Sequence, residues 1–297
     1  MRAMLRTAFV IVPAILALSA CGGGAKASPA GEAALRADRF DADAAFALIR
    51  RQVAVGQRPA GTRKLRRLAV RLRRRMPHGR FERIPGEPRL RNVVAVVKGA
   101  RPALVVGAHY DTLVKPKGFV GANNGAAGSA IVVQLAREAA RAQRAKDAPE
   151  LRFVLFDGEE PAAGLPEEST DFYNTGLRGS RAYVKRHRRQ VGAMVLLDYV
   201  AGKDLSLPRE ASSTESLWDE VRAAAHDVGA SKQFPADTGV GIVDDHSPFL
   251  RASIPAVDLI DWNYPGHSLE DGMDLLSVDS VDAVGETLTR FIAGWRP

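Results

Sequence analysis

Polar side chains that could bind a metal or carry a proton stand at the ends of several apolar stretches in this sequence. Because the strands of a parallel sheet end at one edge, side chains that terminate different strands could meet there. Zinc takes imidazole nitrogens and carboxylate oxygens in a tetrahedral site, and a spare carboxylate can act as a general base or proton shuttle. These residue types therefore predict a zinc site at one edge of a sheet. The residues are His109, Asp111, Glu159, Glu160, Asp198, Asp245, His246 and His267.

The elements that must position these residues follow an alternation of strands and helices. Leu104 to Ala108 is an apolar run typical of a buried strand, and it leads directly into His109. A glycine-rich stretch at 121–128 then opens a helix, predicted over 125–144, whose apolar positions recur at helical spacing. Earlier in the chain, Gln57-Arg-Pro-Ala-Gly61 is predicted to be a turn, and paired strands are predicted on either side of a Pro-Gly-Glu-Pro turn. The alternation continues to a closing helix at 278–295, which indicates an α/β protein with a mostly parallel sheet. We find no internal repeat and predict a single domain over residues 40–297.

The N-terminal residues carry the pattern of an export signal followed by a tether. A basic start precedes an apolar core at 7–16 that is too short to span a membrane. The next residues, Leu18-Ser-Ala-Cys21, resemble the lipobox of bacterial lipoproteins. This resemblance predicts a signal peptide at 1–20, a lipid on Cys21, a tether at 21–39 and an extracytoplasmic protein anchored to the bacterial cell membrane. A plain secretory signal with a chance cysteine is the alternative.

The composition is that of a globular protein with an excess of arginine. The net charge is +8, from 42 Lys and Arg against 34 Asp and Glu, and much of the excess falls in one early segment. A basic surface favours anionic polymers, lipid headgroups or nucleic acid. The sequence has no zinc-finger spacing and no aromatic residues interleaved with the basic ones, so we predict no nucleic-acid partner. The arginine-rich helix predicted at 62–75 either faces an anionic wall or membrane or is a solvated basic surface.

Six motifs of the chain, taken in order, resemble the zinc aminopeptidase and glutaminyl cyclase superfamily. The closer similarity is to the glutaminyl cyclase branch and its bacterial relatives. The resemblance implies a three-layer α/β/α sandwich with a mixed, mainly parallel sheet. The motifs are HYD at 109–111, GANNG at 121–125, FDGEE at 156–160, LLD at 196–198, DDHSPFL at 244–250 and GHS at 266–268.

The resemblance also implies a ligand set for one zinc ion. The residue at position 124, Glu160 and His267 would bind the metal. Glu159, beside one of these ligands, would be the catalytic acid/base residue. One zinc is typical of glutaminyl cyclases, and one ion is what we expect here.

The remaining polar residues would have different roles in the two branches. In the two-zinc aminopeptidases, His109 and Asp198 would hold the second ion. In the glutaminyl cyclases, Asp198 and Asp245 would belong to an acidic, hydrogen-bonded set beside the proton shuttle. Asp111 would orient His109. Asp111 and His246 would support the ligands without binding the metal themselves.

Asn124 departs from the resemblance, which implies an aspartate at this position. An amide offers one neutral oxygen and an NH2 group that cannot bind a metal while protonated. Asn124 therefore counts against a bridged pair of zinc ions and, less strongly, against a single ion. Asn is also a good helix N-cap, so a protein that kept the cap and lost the metal is an open alternative. Gly266 is a second departure, because vertebrate-like cyclases place a tryptophan before the ligand histidine.

The motifs together predict a zinc-dependent glutaminyl-peptide cyclotransferase. Such an enzyme takes peptide or protein N-termini as substrate and converts an N-terminal glutamine to pyroglutamate with release of ammonia. A zinc aminopeptidase that hydrolyses N-terminal residues is the first alternative. A metal-poor pseudoenzyme that binds a partner in the cell envelope is the second. We expect a monomer.

Overall fold

A computed structural model describes residues 39–162, 165 and 171–297 of the chain. The predicted signal peptide, the predicted tether up to residue 38 and the predicted lipidation site Cys21 lie outside the described residues. Within the described part, no helix is both long and apolar enough to cross a membrane.

The described part of the chain forms one six-stranded sheet with the order β1-β2-β4-β3-β5-β6. Strands β4, β3, β5 and β6 run parallel to one another, whereas β2 is antiparallel to both β1 and β4. The sheet is therefore mixed and mainly parallel. The strands are β1 Arg80–Ile84, β2 Glu87–Val97, β3 Ala100–His109, β4 Pro149–Phe156, β5 Val191–Asp198 and β6 Ala256–Ile260.

Helices cover both faces of this sheet. Alternate residues of β3 point to opposite faces: Leu104 and Val106 join the larger core, whereas Val105 joins the smaller one. Helices α1, α2, α3, α6 and α8 pack on the larger core, and α5 and α7 pack on the smaller. The helices are α1 Ala42–Val53, α2 Arg63–Arg75, α3 Gly128–Arg141, α4 Phe172–Thr175, α5 Arg178–His187, α6 Glu215–Asp227, α7 Ser247–Arg251 and α8 Val278–Gly294.

Local sequence explains where the first two helices begin. The side chain of Asp41 accepts a hydrogen bond from the backbone N–H of Ala44 at 2.8 Å and so caps α1. The hydroxyl of Thr62 does the same for the backbone N–H of Leu65 at the start of α2. The apolar stripe of α2 then packs into the larger core, as its helical spacing predicts.

The architecture confirms the predicted α/β/α sandwich with a mixed, mainly parallel sheet. Continuous burial of β4 and β6 along their whole length follows from helices on both faces. The antiparallel pair β1 and β2 corresponds to the paired strands predicted on either side of the Pro-Gly-Glu-Pro turn. The domain boundary at residue 40 remains a prediction.

Candidate metal centre and active site

The candidate site lies where three neighbouring parallel strands end. Strand β3 runs between β4 and β5, and its last residue, His109, pairs in register with Phe156 at the end of β4. Strand β5 ends at Asp198. The chain leaves β3 toward one side of the sheet for β4 and reaches β5 on the other side, so this edge is a topological switch point, where ligands bind in open α/β sheets.

His109 is buried at the centre of three carboxylates. Its Nδ1 lies 3.6 Å from Asp111 Oδ1 and 3.7 Å from Glu159 Oε2, and its Nε2 lies 3.4 Å from Asp198 Oδ1. Burial by itself lowers the pKa of His109, but Asp111, Asp198 and Glu159 outweigh this effect, so the net pKa is raised well above its usual range. The structure therefore brings together residues that come from three separate strand ends.

Asp111 holds the backbone that carries the two glutamates. Its Oδ1 accepts from the backbone N–H of Glu159 and its Oδ2 from that of Glu160, each at 3.3 Å. Arg178 supports the same turn, because its Nη2 donates to the carbonyl of Glu160 at 2.7 Å. Gly158 takes a positive φ of 77° in this turn, and a Cβ there would lie 2.8 Å from a methyl carbon of Leu90.

The two glutamates and Asp198 share a buried, negatively charged environment. Burial raises the pKa of Glu159 well above its usual range, and the charges of Glu160, Asp244 and Asp245 add to this rise. Burial likewise raises the pKa of Glu160, with Asn124 acting in the opposite direction. The pKa of Asp198 rises to about 6, because burial outweighs the stabilising effect of His109. Such crowding of carboxylates is typical of a site that holds a cation or a proton.

Asn124 lies in an irregular turn, Ala122–Ala127, that joins the loop after β3 to helix α3. Its φ and ψ are −73° and 99°, and Gly125 follows with a φ of 88°, so regular α3 begins only at Gly128. The backbone N–H of Asn124 donates to Asp271 Oδ2 at 3.0 Å. The fully buried Arg58 donates to the carbonyl of Gly121 at 3.0 Å. Two residues distant in sequence thus fix this turn.

The side chain of Asn124 is oriented by Tyr199. Its Nδ2 donates to the Tyr199 hydroxyl at 3.2 Å, and its Oδ1 is buried without a hydrogen-bond partner among the described residues. Tyr199 itself has a left-handed backbone, with a φ of 49°. Its ring also explains Gly266, because a Cβ at residue 266 would lie 2.3 Å from the Tyr199 Cζ atom.

His267 lies beside Tyr199. It is exposed, and its ring meets the Tyr199 ring edge-on, with 6.1 Å between the ring centroids. Tyr199 therefore stands beside both Asn124 and His267. The ring of Trp262 stacks on the Tyr199 ring, with 6.4 Å between the ring centroids.

Asp245 and His246 lie in a second buried polar layer. Asp245 is fully buried, and its charge raises the pKa of Glu159. The carboxylates that His246 contacts are Glu210 and Asp258 rather than Glu159 and Glu160. Its Nε2 lies 3.4 Å from Glu210 Oε2, and its Nδ1 lies 3.4 Å from Asp258 Oδ2. Burial favours a neutral Glu210, but contacts with His246 and hydrogen bonds from the backbone N–H groups of Ser212 and Ile242 together outweigh it and lower the pKa of Glu210 to about 2.

The donor atoms at the strand ends fit a zinc ion. His109, Glu159 and Glu160 each offer a ligand atom, and these three atoms lie within 4.8 Å of one another. The Oε1 atom of Glu160 and the Oδ1 atom of Asn124 are buried polar atoms without hydrogen-bond partners among the described residues. Buried oxygens of this kind are costly unless something binds them. Nitrogen and carboxylate oxygen are also the donors that zinc takes.

Several residues that build the site give no local signal in the sequence. Arg58 stands in a predicted turn, and Asp271 follows the last motif. Asp244 lies next to Asp245, and its charge acts on both Glu159 and Asp198. The one sequence feature that could have indicated a role for Asp244 in the site is its position beside Asp245 in the DDH motif.

The sequence between 92 and 292 matches the family model described as peptidase family M28. Among curated relatives, the chain is 25% identical over 227 residues to the glutaminyl-peptide cyclotransferase of Boiga irregularis and 26% identical over 226 residues to that of Bos taurus. Each alignment covers 65% of this chain and 62% of the relative. The chain thus spans under two thirds of the length of the curated relatives that it matches.

Solved structures share the fold over most of the chain. The glutaminyl cyclase of Porphyromonas gingivalis superposes with a TM-score of 0.73 and 26% identity, over 86% of this chain and 99% of that one. A Zn-dependent exopeptidase from Parabacteroides distasonis superposes with a TM-score of 0.74 over the same shares, at 22% identity. This second similarity is one of fold alone.

Proposed function

The chain belongs to peptidase family M28, and we propose that it is a glutaminyl-peptide cyclotransferase with a zinc ion at the carboxyl edge of its sheet. The predicted resemblance to the zinc aminopeptidase and glutaminyl cyclase superfamily is thereby confirmed. The observation that carries the proposal is the buried group of His109, Glu159 and Glu160 at the switch point between β3, β4 and β5.

By the family resemblance, Glu160, Asn124 and His267 would hold the zinc ion. Of the buried group of His109, Glu159 and Glu160, only Glu160 belongs to this set. When bound, zinc supplies Lewis acidity that polarises a substrate carbonyl. Asn124 can contribute only its amide oxygen, since its NH2 group faces Tyr199. His109 and Asp198 lie beside this set, 3.4 Å apart.

Glu159 is the residue that would move the proton in this reaction. Cyclisation joins the α-amine of the substrate to the side-chain carbonyl carbon of its N-terminal glutamine and releases ammonia. One proton must pass from the attacking amine to the departing nitrogen. Burial raises the pKa of Glu159, and the charges of Glu160, Asp244 and Asp245 add to this rise, a shift that favours acceptance of the proton from the amine.

An aromatic wall would position the substrate beside these groups. Tyr199, Trp262 and Tyr264 form adjacent ring contacts, and half of the Trp262 surface is exposed. Burial and the charges of Asp198 and Glu160 raise the pKa of Tyr199 well above its usual range, so its hydroxyl stays protonated. The wall offers apolar contact and excludes water on one side of the site.

A zinc aminopeptidase is the second candidate function, and the pair formed by His109 and Asp198 favours it. An imidazole nitrogen and a carboxylate oxygen 3.4 Å apart are suited to a second ion. Hydrolysis of an N-terminal peptide bond would then use Glu159 as the base. Asn124 favours the cyclase, because its single amide oxygen is a poor bridge between two ions.

Metal content and substrate choice test the proposal together. We expect about one zinc per chain and turnover of peptides with N-terminal glutamine but not of aminoacyl anilides. Glu159→Gln is expected to keep zinc and to lose activity by roughly 100-fold or more, whereas Glu160→Gln is expected to lose both zinc and activity.

Glu215→Gln, on the exposed start of α6, is the control for these two variants. Two zinc ions with anilide turnover would establish the peptidase, and a metal-free, inactive protein would establish the binding protein.

We also propose that the enzyme is an extracytoplasmic monomer, held at the membrane by a lipid on Cys21. This part rests on the sequence alone, because Cys21 precedes the described residues. Loss of membrane association in a Cys21→Ser variant expressed in bacteria is the expected result.

A further inference from the structure

Helix α2 presents an unusually cationic surface to solvent. Eight of its thirteen residues are Arg or Lys, and none is acidic. The helix is held on the larger core by its apolar stripe, so the charged side chains are left on its outer side. Lys64, Arg67 and Arg71 are exposed. Among the described residues, no carboxylate forms an ion pair with any basic residue of α2.

These charges converge with others from the neighbouring helix. A cleft of about 270 Å³ between α1 and α2 is lined by Arg51 together with Lys64, Arg67 and Arg71, and no acidic residue lines it. A cleft with four cations and no carboxylate matches the charge and hydrogen-bonding needs of a phosphate group.

The cationic surface continues onto α3. Burial lowers the pKa of Arg75 on α2, and the nearby charges of Arg51, Arg137 and Arg71 lower it further, which places Arg137 of α3 against the same cluster. Arg141 lies one helical turn beyond Arg137. We call the cationic surface of α1, α2 and α3 the basic face. Its members are Arg51, Lys64, Arg67, Arg71, Arg75, Arg137 and Arg141.

An apolar groove adjoins the end of the basic face. It has a volume of about 520 Å³ and its walls include Leu135 and Ile292. Arg141, Arg144 and Arg296 stand around it, and Glu138 is the one carboxylate among its described lining residues. Arg39, the first described residue, also lines this groove. An apolar floor beside several guanidinium groups suits an amphiphile with an anionic head.

We propose that the basic face binds the anionic phospholipid surface of a membrane. Like charges gathered without counter-charges repel one another, and the phosphate groups of lipids would neutralise them. Contacts spread over three helices suit an extended surface better than a single small anion. The chain enters the domain beside the groove, and the 18 residues that follow Cys21, up to Arg39, reach at most about 65 Å. A lipid on Cys21 would therefore keep the basic face close to headgroups.

Binding in this orientation would leave the candidate active site open. The turn with Asn124 precedes the start of α3, and Arg141 ends that helix. Fourteen helical residues separate these two ends by about 21 Å. The Arg141 end of the basic face can therefore contact a membrane while the carboxyl edge of the sheet remains available to peptides.

Co-sedimentation with vesicles of the full-length protein carrying Cys21→Ser, so that no lipid is attached, tests this proposal. The vesicles contain phosphatidylcholine alone or phosphatidylcholine with phosphatidylglycerol. The patch variant is Lys64→Gln/Arg67→Gln/Arg71→Gln. The matched control is Lys185→Gln/Arg188→Gln/Arg189→Gln, which removes one exposed lysine and two exposed arginines at and after the end of α5, on the opposite face of the sheet. The N-terminal residues are the same in the wild type and both variants, so their contribution to vesicle binding cancels when the three proteins are compared.

We expect phosphatidylglycerol-dependent binding that weakens roughly 100-fold in the patch variant and no more than about threefold in the control. Salt should weaken the wild-type binding, and circular dichroism should show that both variants are folded. Equal loss in the two variants, or equal binding to both vesicle types, would overturn the proposal. So would full competition by inorganic phosphate or by DNA at matched ionic strength, because the face would then be a general anion site.

Discussion

The side-chain nitrogen of Asn124 donates a hydrogen bond to the hydroxyl oxygen of Tyr199 at 3.2 Å. This contact holds the amide group, whose oxygen is buried without a hydrogen-bond partner among the described residues. Because the hydroxyl accepts from Asn124, its own proton is free to be donated elsewhere. Tyr199 thus adapts the site to an amide at a position where the family resemblance implies an aspartate.

Asn124→Asp should bind zinc at least about tenfold more tightly than the wild type, because a carboxylate adds charge and a second ligand oxygen. Tyr199 can donate to the new carboxylate, so the fold should tolerate the change. The measurement is competition for zinc with a coloured chelator.

The control for this change is Asn123→Asp, which adds the same charge in the same turn. Its Oδ1 accepts from the backbone N–H of Ala201 at 2.9 Å, a contact that an aspartate can keep. A rise in zinc affinity of equal size in both variants would show a general effect of charge and would contradict the assignment of position 124 as a ligand.

Gly266→Ala should destabilise the protein by about 1–3 kcal/mol, because the added methyl group would collide with the Tyr199 ring. Tyr199→Ala should remove the clash, so the free-energy costs of the two changes should not add. Urea unfolding of both single variants and the double variant measures this coupling. Gly241→Ala is the control, since a Cβ there meets only ordinary contacts. Strictly additive costs would show that the Tyr199 ring does not occupy this space.

Much of the candidate site could be predicted from sequence because it sits on strand ends. His109, Glu159 and Asp198 follow apolar runs, and these runs are adjacent parallel strands. Strand ends in a parallel sheet share an edge whatever the order of the strands. The apolar runs therefore predict that these side chains lie at one edge of the sheet, whatever the order of β4, β3 and β5.

The remaining parts depend on contacts between distant segments. Arg58 and Asp271 fix the Asn124 turn from positions 66 residues before and 147 residues after it, and neither belongs to a periodic pattern. The sequence predicted a helix from Gly125, but Asn124 and Gly125 have non-helical backbone angles and the regular helix begins at Gly128. His246 lies against Glu210, which enters from a loop that sequence reasoning did not connect to it.

Arg58→Lys should lower the free energy of unfolding by about 3 kcal/mol and also weaken zinc binding. The guanidinium is fully buried and donates to the carbonyls of Tyr110 and Gly121. A lysine has one point of donation and cannot reproduce this fork. Urea unfolding and zinc titration measure the two effects. Arg89→Lys, at an exposed position, is the control. Unchanged zinc affinity in a clearly destabilised Arg58→Lys would show that the turn does not position the ligand.

Glu82→Gln should reduce stability at neutral pH by about 1 kcal/mol, and the difference from wild type should vanish in acid. Burial favours a neutral Glu82, but His187 at 2.9 Å and Arg80 at 3.0 Å outweigh it and lower its pKa to about 2. A carboxylate with a lowered pKa stabilises the fold above its unfolded pKa of about 4.5 and loses that contribution as pH falls toward 2.

Urea unfolding of the wild type and Glu82→Gln at several values between pH 6 and pH 2 tests this sign. The gap between the two proteins should be full at pH 6 and should close between about pH 4.5 and pH 2. Glu87→Gln is the control, because Glu87 is partly exposed and lies 3.9 Å from Arg178. A gap that widened in acid would mean that the charged form of Glu82 is disfavoured in the folded state. Burial would then outweigh the contacts with His187 and Arg80.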